Sequence, residues 1–330
     1  MDLSIVMVNI NGRALTEQCI RTIECSGTQC SYEIVVVDNV STDGSREWLC
    51  QLERTSPHIR CVFNTENRGF GAGNNSALPI CRGRYVLFLN NDTLALEPLD
   101  GLVAVADRLG ACCGAIGGRV LNADKSIQYT CNTPFTVPVL ISALTLTFLG
   151  IRPGFVKRQG LRDWNYAAER DVTVVSGCYL MAPRSVLNHV GAFDPNIFLY
   201  YEETDLCYRI KRAGYTVRYA PVSTIIHLGG GSTKTGGQGI RWLDQAAWSA
   251  RYFARNHLGR NRARLLAVAV WLCWLPMWAT FAILGLITPK RGPRLASRTR
   301  ARYLRQALVA MPRHRFPRQS PYAYAKTDPR

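Results

Sequence analysis

Three acids in four positions, Glu202, Glu203 and Asp205, follow a pair of tyrosines where a helical pattern begins. A carboxylate held beside a hydroxyl can take its proton and turn a poor nucleophile into a useful one. Acids in a first turn also simply suit the helix dipole, so the stretch alone does not establish chemistry. A second group supplies the context. Asn90-Asn-Asp92 ends an apolar run and offers a hard oxygen ligand of the kind that holds a divalent cation. His227 follows another apolar run, Ser223 to Ile226, although a lone histidine is more often structural than a ligand. A third group is amide-rich: Asn9 and Asn11, Asp38 and Asn39, Asn64 and Asn67. Asp38 at a strand end can accept the N–H of a pyrimidine base. Asn67-Arg-Gly-Phe-Gly-Ala-Gly-Asn74 carries three glycines at alternate positions ahead of a helix, a loop that can bring backbone N–H groups to a phosphate. Its spacing is not that of the dinucleotide fingerprint, and a tight structural turn is the plain alternative.

These residues fall at the ends of recognisable elements. Apolar runs at Leu3–Val8, Glu33–Val37, Ile59–Phe63 and Tyr85–Leu89 alternate with helical patterns near 13–25, after Asp43 and near 72–78. Strands apolar throughout and separated by helices predict an α/β fold, a mostly parallel sheet covered on both faces. Ligands bind beyond the carboxyl ends of such strands, where the Asn and Asp residues cluster. Asn and Asp also open turns and cap helices, and Asp43 in Ser-Thr-Asp-Gly is read that way. Further on, Pro183 opens a helix that Gly191 ends, and Glu202–Ala213 forms another that Gly214 ends.

The chain has 330 residues and a net charge of +17, but the charge is not evenly spread. From Arg255 onward there are 16 Lys or Arg and one acid, against 24 basic and 22 acidic residues before it. A nearly neutral body with a cationic tail beside an apolar run matches an anionic membrane surface better than nucleic acid. Leu265–Ile287 is 23 residues without a charge, long enough for a bilayer core. Both flanks are basic, and Trp271, Trp274 and Trp278 sit in its middle, where a simple span does not favour them. A single span and a kinked or re-entrant segment both remain open. The apolar run from Thr136 to Ile151 is short for a span and either packs on the domain or dips into the interface. The predicted division is a catalytic domain over 1–254 and a membrane-associated segment over 255–330. Twelve cysteines without zinc-ligand spacing, with Cys25, Cys61, Cys81, Cys113 and Cys178 read as small core residues, suit a reducing cytoplasm.

Together Val8-Asn-Ile-Asn11, Val37–Ser45, Asn64–Asn74, Leu87–Asp92 and Tyr201–Arg209 resemble glycosyltransferase family two, nearest its rhamnosyltransferase-like branch, over about residues 1–230. The resemblance implies a GT-A fold, a dTDP- or UDP-sugar donor, Mg²⁺ or Mn²⁺, and inversion at the anomeric carbon. It makes Glu203 the catalytic base with Glu202 and Asp205 as neighbours, although glutamate replaces the common aspartate at 203. It places Asn9, Asp38, Asn67, Gly69, Phe70, Gly73, Asn74, Asn90 and Asn91 around the donor. Asp92 and His227 become metal ligands, with Asn90 departing from the acidic D-x-D pattern. The expected reaction is rhamnosyl transfer from dTDP-L-rhamnose to a lipid-linked or cell-envelope glycan, by an enzyme on the cytoplasmic side of the cell membrane. UDP-galactofuranose or a UDP-hexosamine is the alternative donor, and a non-catalytic sugar-nucleotide-binding scaffold the alternative class. A Gly-rich lid ending at Lys234 is a further expectation.

Overall fold

The computed structural model describes residues 1–146, 149–229, 242–289 and 291–316. The strands are β1 (Leu3–Asn9), β2 (Tyr32–Asp38), β3 (Ile59–Phe63), β4 (Tyr85–Leu89), β5 (Thr93–Ala95), β6 (Cys113–Leu121), β7 (Cys131–Asn132), β8 (Arg170–Asp171), β9 (Val174–Val175), β10 (Tyr179–Pro183) and β11 (Thr216–His227). The helices are α1 (Arg13–Glu24), α2 (Ser45–Thr55), α3 (Gly69–Ala77), α4 (Asp100–Leu109), α5 (Val137–Leu144), α6 (Gly154–Gln159), α7 (Arg184–Val190), α8 (Glu202–Arg212), α9 (Trp242–Phe253), α10 (Arg260–Ile287) and α11 (Arg291–Ala310).

The main sheet runs β3-β2-β1-β4-β10-β6-β11-β5, with β8 on β11. Its N-terminal half is parallel throughout, as the alternating pattern predicts. The other half is mixed: β10 enters antiparallel to β4 and β6, and β5 antiparallel to β11. Successive β1 residues serve two cores, Leu3, Ile5 and Met7 on one face and Val6 on the other. This is why the strands lack polar alternation: both faces are covered. The predicted ends of α7 and α8 hold, with Gly191 at φ 75° and Gly214 at φ 89° closing them in conformations that favour glycine. Of the cysteines expected in the core, Cys81, Cys113 and Cys178 are buried and Cys61 is half-buried, but Cys25 is exposed just past the end of α1.

A third core unites α5, α9, α10 and α11 through Leu140, Leu144, Leu243, Ala247, Leu266, Val270, Trp274, Leu304 and Leu308. The helices on either side of position 254 therefore share one interior, and a π-helical turn, Ala254–Leu258, joins them. Part of the run from Thr136 to Ile151 becomes α5 and packs there.

Candidate active site

Sheet register assembles the cation-binding candidates. β11 ends at His227, which pairs across to Thr93 at the start of β5, so the imidazole arrives beside the turn that follows β4. His227 Nε2 lies 3.2 Å from Asp92 Oδ1 and 3.2 Å from Asn90 Nδ2. The other ring nitrogen, Nδ1, donates to Gln128 Oε1 at 2.8 Å, while Gln128 Nε2 donates to Asn122 Oδ1 at 3.0 Å. The Asn122 contact orients the Gln128 amide. With its oxygen toward the histidine, the Nδ1–H tautomer is selected, and the Nε2 lone pair is left to accept from Asn90 Nδ2. Asn90 Oδ1 is buried without a hydrogen-bond partner. An oxygen, an imidazole lone pair and an unsatisfied amide oxygen form a donor set that fits Mg²⁺ or Mn²⁺. Among the described residues no group of three His, Cys, Asp or Glu converges on one point, so a cation here would need further oxygen ligands from outside the protein.

The acids arrive from the other side. Tyr200 and Tyr201 both sit at φ 67°, a left-handed pair that bulky residues rarely adopt, each unfavourable by about 1–3 kcal/mol. Surrounding contacts hold the pair. The Asp205 N–H donates to Tyr201 O at 2.8 Å, and Ser249 Oγ donates to Leu199 O at 2.8 Å. The Tyr201 ring meets Phe135 and Phe253. The turn delivers Glu202 and Glu203 to the rim of a cavity of about 410 Å³ that is also lined by Phe70, Asn90, Asn132, Gly177 and His227. Burial, then the Glu203 charge, raises the Glu202 carboxyl well above the usual range, and burial raises Glu203 as well. Glu202 Oε2 is buried without a partner. The Glu203 charge opposes ionisation of Glu202, so the two do not titrate independently.

Asp205 behaves differently from the neighbour role expected of it. It is fully buried and does not line the cavity. It accepts from Arg209 Nε at 2.8 Å and from His257 Nε2 at 2.7 Å, and Arg209 also donates to the carbonyls of Val190 and Gly191. Burial alone would raise its pKa; Arg209 and His257 outweigh that and hold it at about 2. Asp205 is a structural anchor that ties α8 to α7 and to the π-helical turn.

The donor-side expectations also change. Asn9 and Asp38 stand level at the ends of β1 and β2, as predicted, but both are fully buried. Asn9 Nδ2 donates to Asp38 Oδ1 and Ser41 Oγ, and Asn9 Oδ1 accepts from Thr16 and Asn91. Asp38 Oδ2 accepts from the Ser41 N–H. In this arrangement Asn9, Asp38 and Asn91 brace three strand ends and present no carboxylate edge to a base. The glycines serve packing. A Cβ on Gly69 would overlap the Phe198 carbonyl, one on Gly71 would come 2.8 Å from Phe193 Cβ, and one on Gly73 would come 3.2 Å from Val8. The first two N–H groups of α3 are taken within the protein, Gly69 by Asn67 Oδ1 and Phe70 by Phe198 O, so they are not presented to a phosphate. Asn74 bonds back to Phe70 O and is buried. Only Phe70 of this segment lines the cavity. Asp43 opens the turn ahead of α2, accepting from the Ser45 N–H, and also accepts from the Arg13 N–H, while Gly44 occupies the N-cap position of α2. The loop expected to act as a lid lies outside the described residues from 230 through Lys234.

Three contributors were not anticipated: Gln128, Tyr200 and Gly177. A Cβ on Gly177 would come 3.3 Å from both Glu203 Cβ and Phe70, so glycine makes room for the acid. None carries a motif; Gln128 lies in an irregular loop whose partner is 99 residues away.

Comparisons with known proteins agree with this geometry. The model of glycosyl transferase family 2 matches residues 4–155. An N-acetylglucosaminyl-diphospho-decaprenol L-rhamnosyltransferase from Mycobacterium tuberculosis is 26% identical, over 61% of this chain and 67% of its own length. The rhamnosyltransferase WbbL of Escherichia coli is 25% identical, over 70% and 85%. The chain spans only 21% and 35% of two other curated relatives, from Sinorhizobium fredii and Bacillus subtilis. A mannosyltransferase from Pyrobaculum calidifontis, solved with GDP-Man and Mn²⁺, superposes with a TM-score of 0.53 at 18% identity, covering 94% of this chain and 86% of that one. The parallel strands, the turn after β4 and the antiparallel additions thus form one architecture: the fold is the GT-A fold, and residues 4–155 match a glycosyl transferase family 2 domain.

Proposed function

We propose that this chain is an inverting, metal-dependent glycosyltransferase that moves L-rhamnose from dTDP-L-rhamnose to a lipid-linked or cell-envelope glycan at a membrane, from the cytoplasmic side. The observation that carries the reading is one cavity lined by Glu202 and Glu203 on one side and by Asn90 and His227, with Asp92 behind them, on the other. The names of the mycobacterial and E. coli relatives support the rhamnosyl donor.

The acceptor hydroxyl attacks the anomeric carbon as the bond to the nucleoside diphosphate breaks, and its proton passes to the Glu203 carboxylate. Burial makes Glu203 more basic than a solvated glutamate, which brings it closer to working pH. Glu202, more strongly held in the acid form and with Oε2 unpartnered, donates a hydrogen bond to the acceptor. Asp92 Oδ1 and His227 Nε2 would hold the divalent cation, with the Asn90 amide beside them. When bound, that cation neutralises charge on the departing diphosphate.

A second donor reading, UDP-galactofuranose or a UDP-hexosamine, is equally compatible with the enclosure of Asp38, which leaves base recognition unspecified. One experiment separates the readings. Membranes bearing the protein are incubated with lipid extract, Mg²⁺ or Mn²⁺, and a panel of nucleotide sugars. Release of dTDP from dTDP-L-rhamnose, abolished by chelator, is expected; release of UDP alone would replace the donor, and no release would overturn the enzymatic reading.

A further inference from the structure

α10 is long and apolar enough to cross a bilayer, but its neighbours are not suited to accompany it. Its first half packs on α5 and α9 of the folded body, and Trp274 Nε1 donates to Leu144 O at 2.9 Å. Its second half pairs with α11, which folds back along it. Arg298 Nε donates to Gly285 O at 2.9 Å, and the Arg300 guanidinium lies 5.3 Å from the centre of the Phe281 ring. α11 carries six arginines, among them Arg302 and Arg305 on its exposed side. A perpendicular α10 would therefore carry arginines to hydrocarbon depth alongside Phe281 and Gly285, where charge is strongly disfavoured.

The exposed side of α10 is apolar in register. Leu265, Val268, Leu272, Leu275, Ile283 and Leu286 all lie open, spaced at helical intervals along one stripe. We infer that α10 and α11 form a hairpin lying in the plane of one anionic leaflet, with the α10 stripe sunk among the acyl chains and the α11 arginines among lipid phosphates. Such a helix sits at the headgroup boundary along its whole length. This accounts for two features that a span does not. Both flanks are basic because both lie at the same surface. Trp271 and Trp278 occur mid-helix because every position is interfacial, whereas Trp274 is a core residue. α5 links this surface to the site: Leu140 and Leu144 pack against α10, and Phe135, two residues ahead of α5, lines the catalytic cavity.

The inference rests on the membrane association proposed above and specifies its geometry. In sealed vesicles bearing the full chain, one protease site is fused ahead of Met1 and another inserted after Pro289, in the turn between α10 and α11. Cleavage of both from the same face without detergent is expected. Cleavage of the Pro289 site only after detergent, while the other is cut freely, would overturn the in-plane hairpin. Release of nucleotide diphosphate in the same vesicles reports separately on sugar transfer. A second arm avoids the insertion: R302E/R305E is expected to weaken binding to phosphatidylglycerol-containing vesicles by about tenfold or more. Equal binding of wild type to phosphatidylcholine vesicles and anionic ones, unchanged in the variant, would likewise overturn it.

Discussion

Two polar clusters lie at the carboxyl edge of the same sheet and differ in how fully they are satisfied. Around Asn9, Asp38, Thr16, Ser41 and Asn91 the side chains bond to one another and are closed from solvent. Around the cavity, Asn90 Oδ1 and Glu202 Oε2 are buried with no partner, and two carboxyls crowd each other. Unsatisfied buried polar groups are unfavourable in a fold that has no other use for them. The first cluster fits the framework and the second the proposed site, although their residue types are nearly the same. The contrast recurs on α8 alone, where Asp205 is fully partnered and Glu202, three residues before it, is not.

Asp205→Asn attacks the framework side most directly. It leaves the buried Arg209 charge without its counter-ion and should destabilise the fold by about 3–5 kcal/mol in chemical denaturation. The wild-type contribution is present above the ordinary aspartate value of 3.8 and is lost as pH falls toward the folded value of about 2, so the variant's deficit should shrink in acid. A fully stable variant with little transferase activity would move Asp205 to the chemical side.

Glu203→Gln tests the opposite side. Transfer should fall by about 10²–10⁴-fold, with stability and donor binding preserved. Loss of donor binding, read by calorimetry, would sink the base assignment. Gln128→Leu leaves His227 without the acceptor that selects its tautomer. Mn²⁺ affinity, measured by electron paramagnetic resonance on the protein with nucleotide diphosphate, should drop about 10–100-fold. Unchanged affinity would return Gln128 to the framework.

Glu202→Gln should have the smallest effect and the most telling sign. The folded carboxyl titrates above its ordinary value of 4.5, so its ionisation opposes folding as pH rises through and beyond that value. The variant should be more stable than wild type by about 1 kcal/mol at neutral pH, with the gain vanishing below the ordinary glutamate range. Thermal melting across pH checks this. A destabilised variant at neutral pH would mean that the ionised form has a partner, and the contrast between the two clusters would weaken.

The α/β class, the strand positions and the ends of α7 and α8 were legible in the chain order, and Glu203, Asp92 and His227 could be singled out there as candidates. They follow from local periodicity, from Gly and Pro at element ends, and from motif resemblance. The roles of Asp205, Asn9, Asp38 and the glycines 69, 71 and 73 were not. Each depends on what lies against it: Arg209 and His257, Ser41 and Asn91, the Phe198 carbonyl, Phe193 and Val8. A buried, paired carboxylate and a base-binding one are the same letter in sequence, because burial and partnership come from segments far apart in the chain. The same reason hid Gln128. The apolar length of α10 was plain from composition, whereas the arginines beside it became neighbours only when α11 folded back. Composition determines that a segment avoids water; only packing decides which charges share its depth.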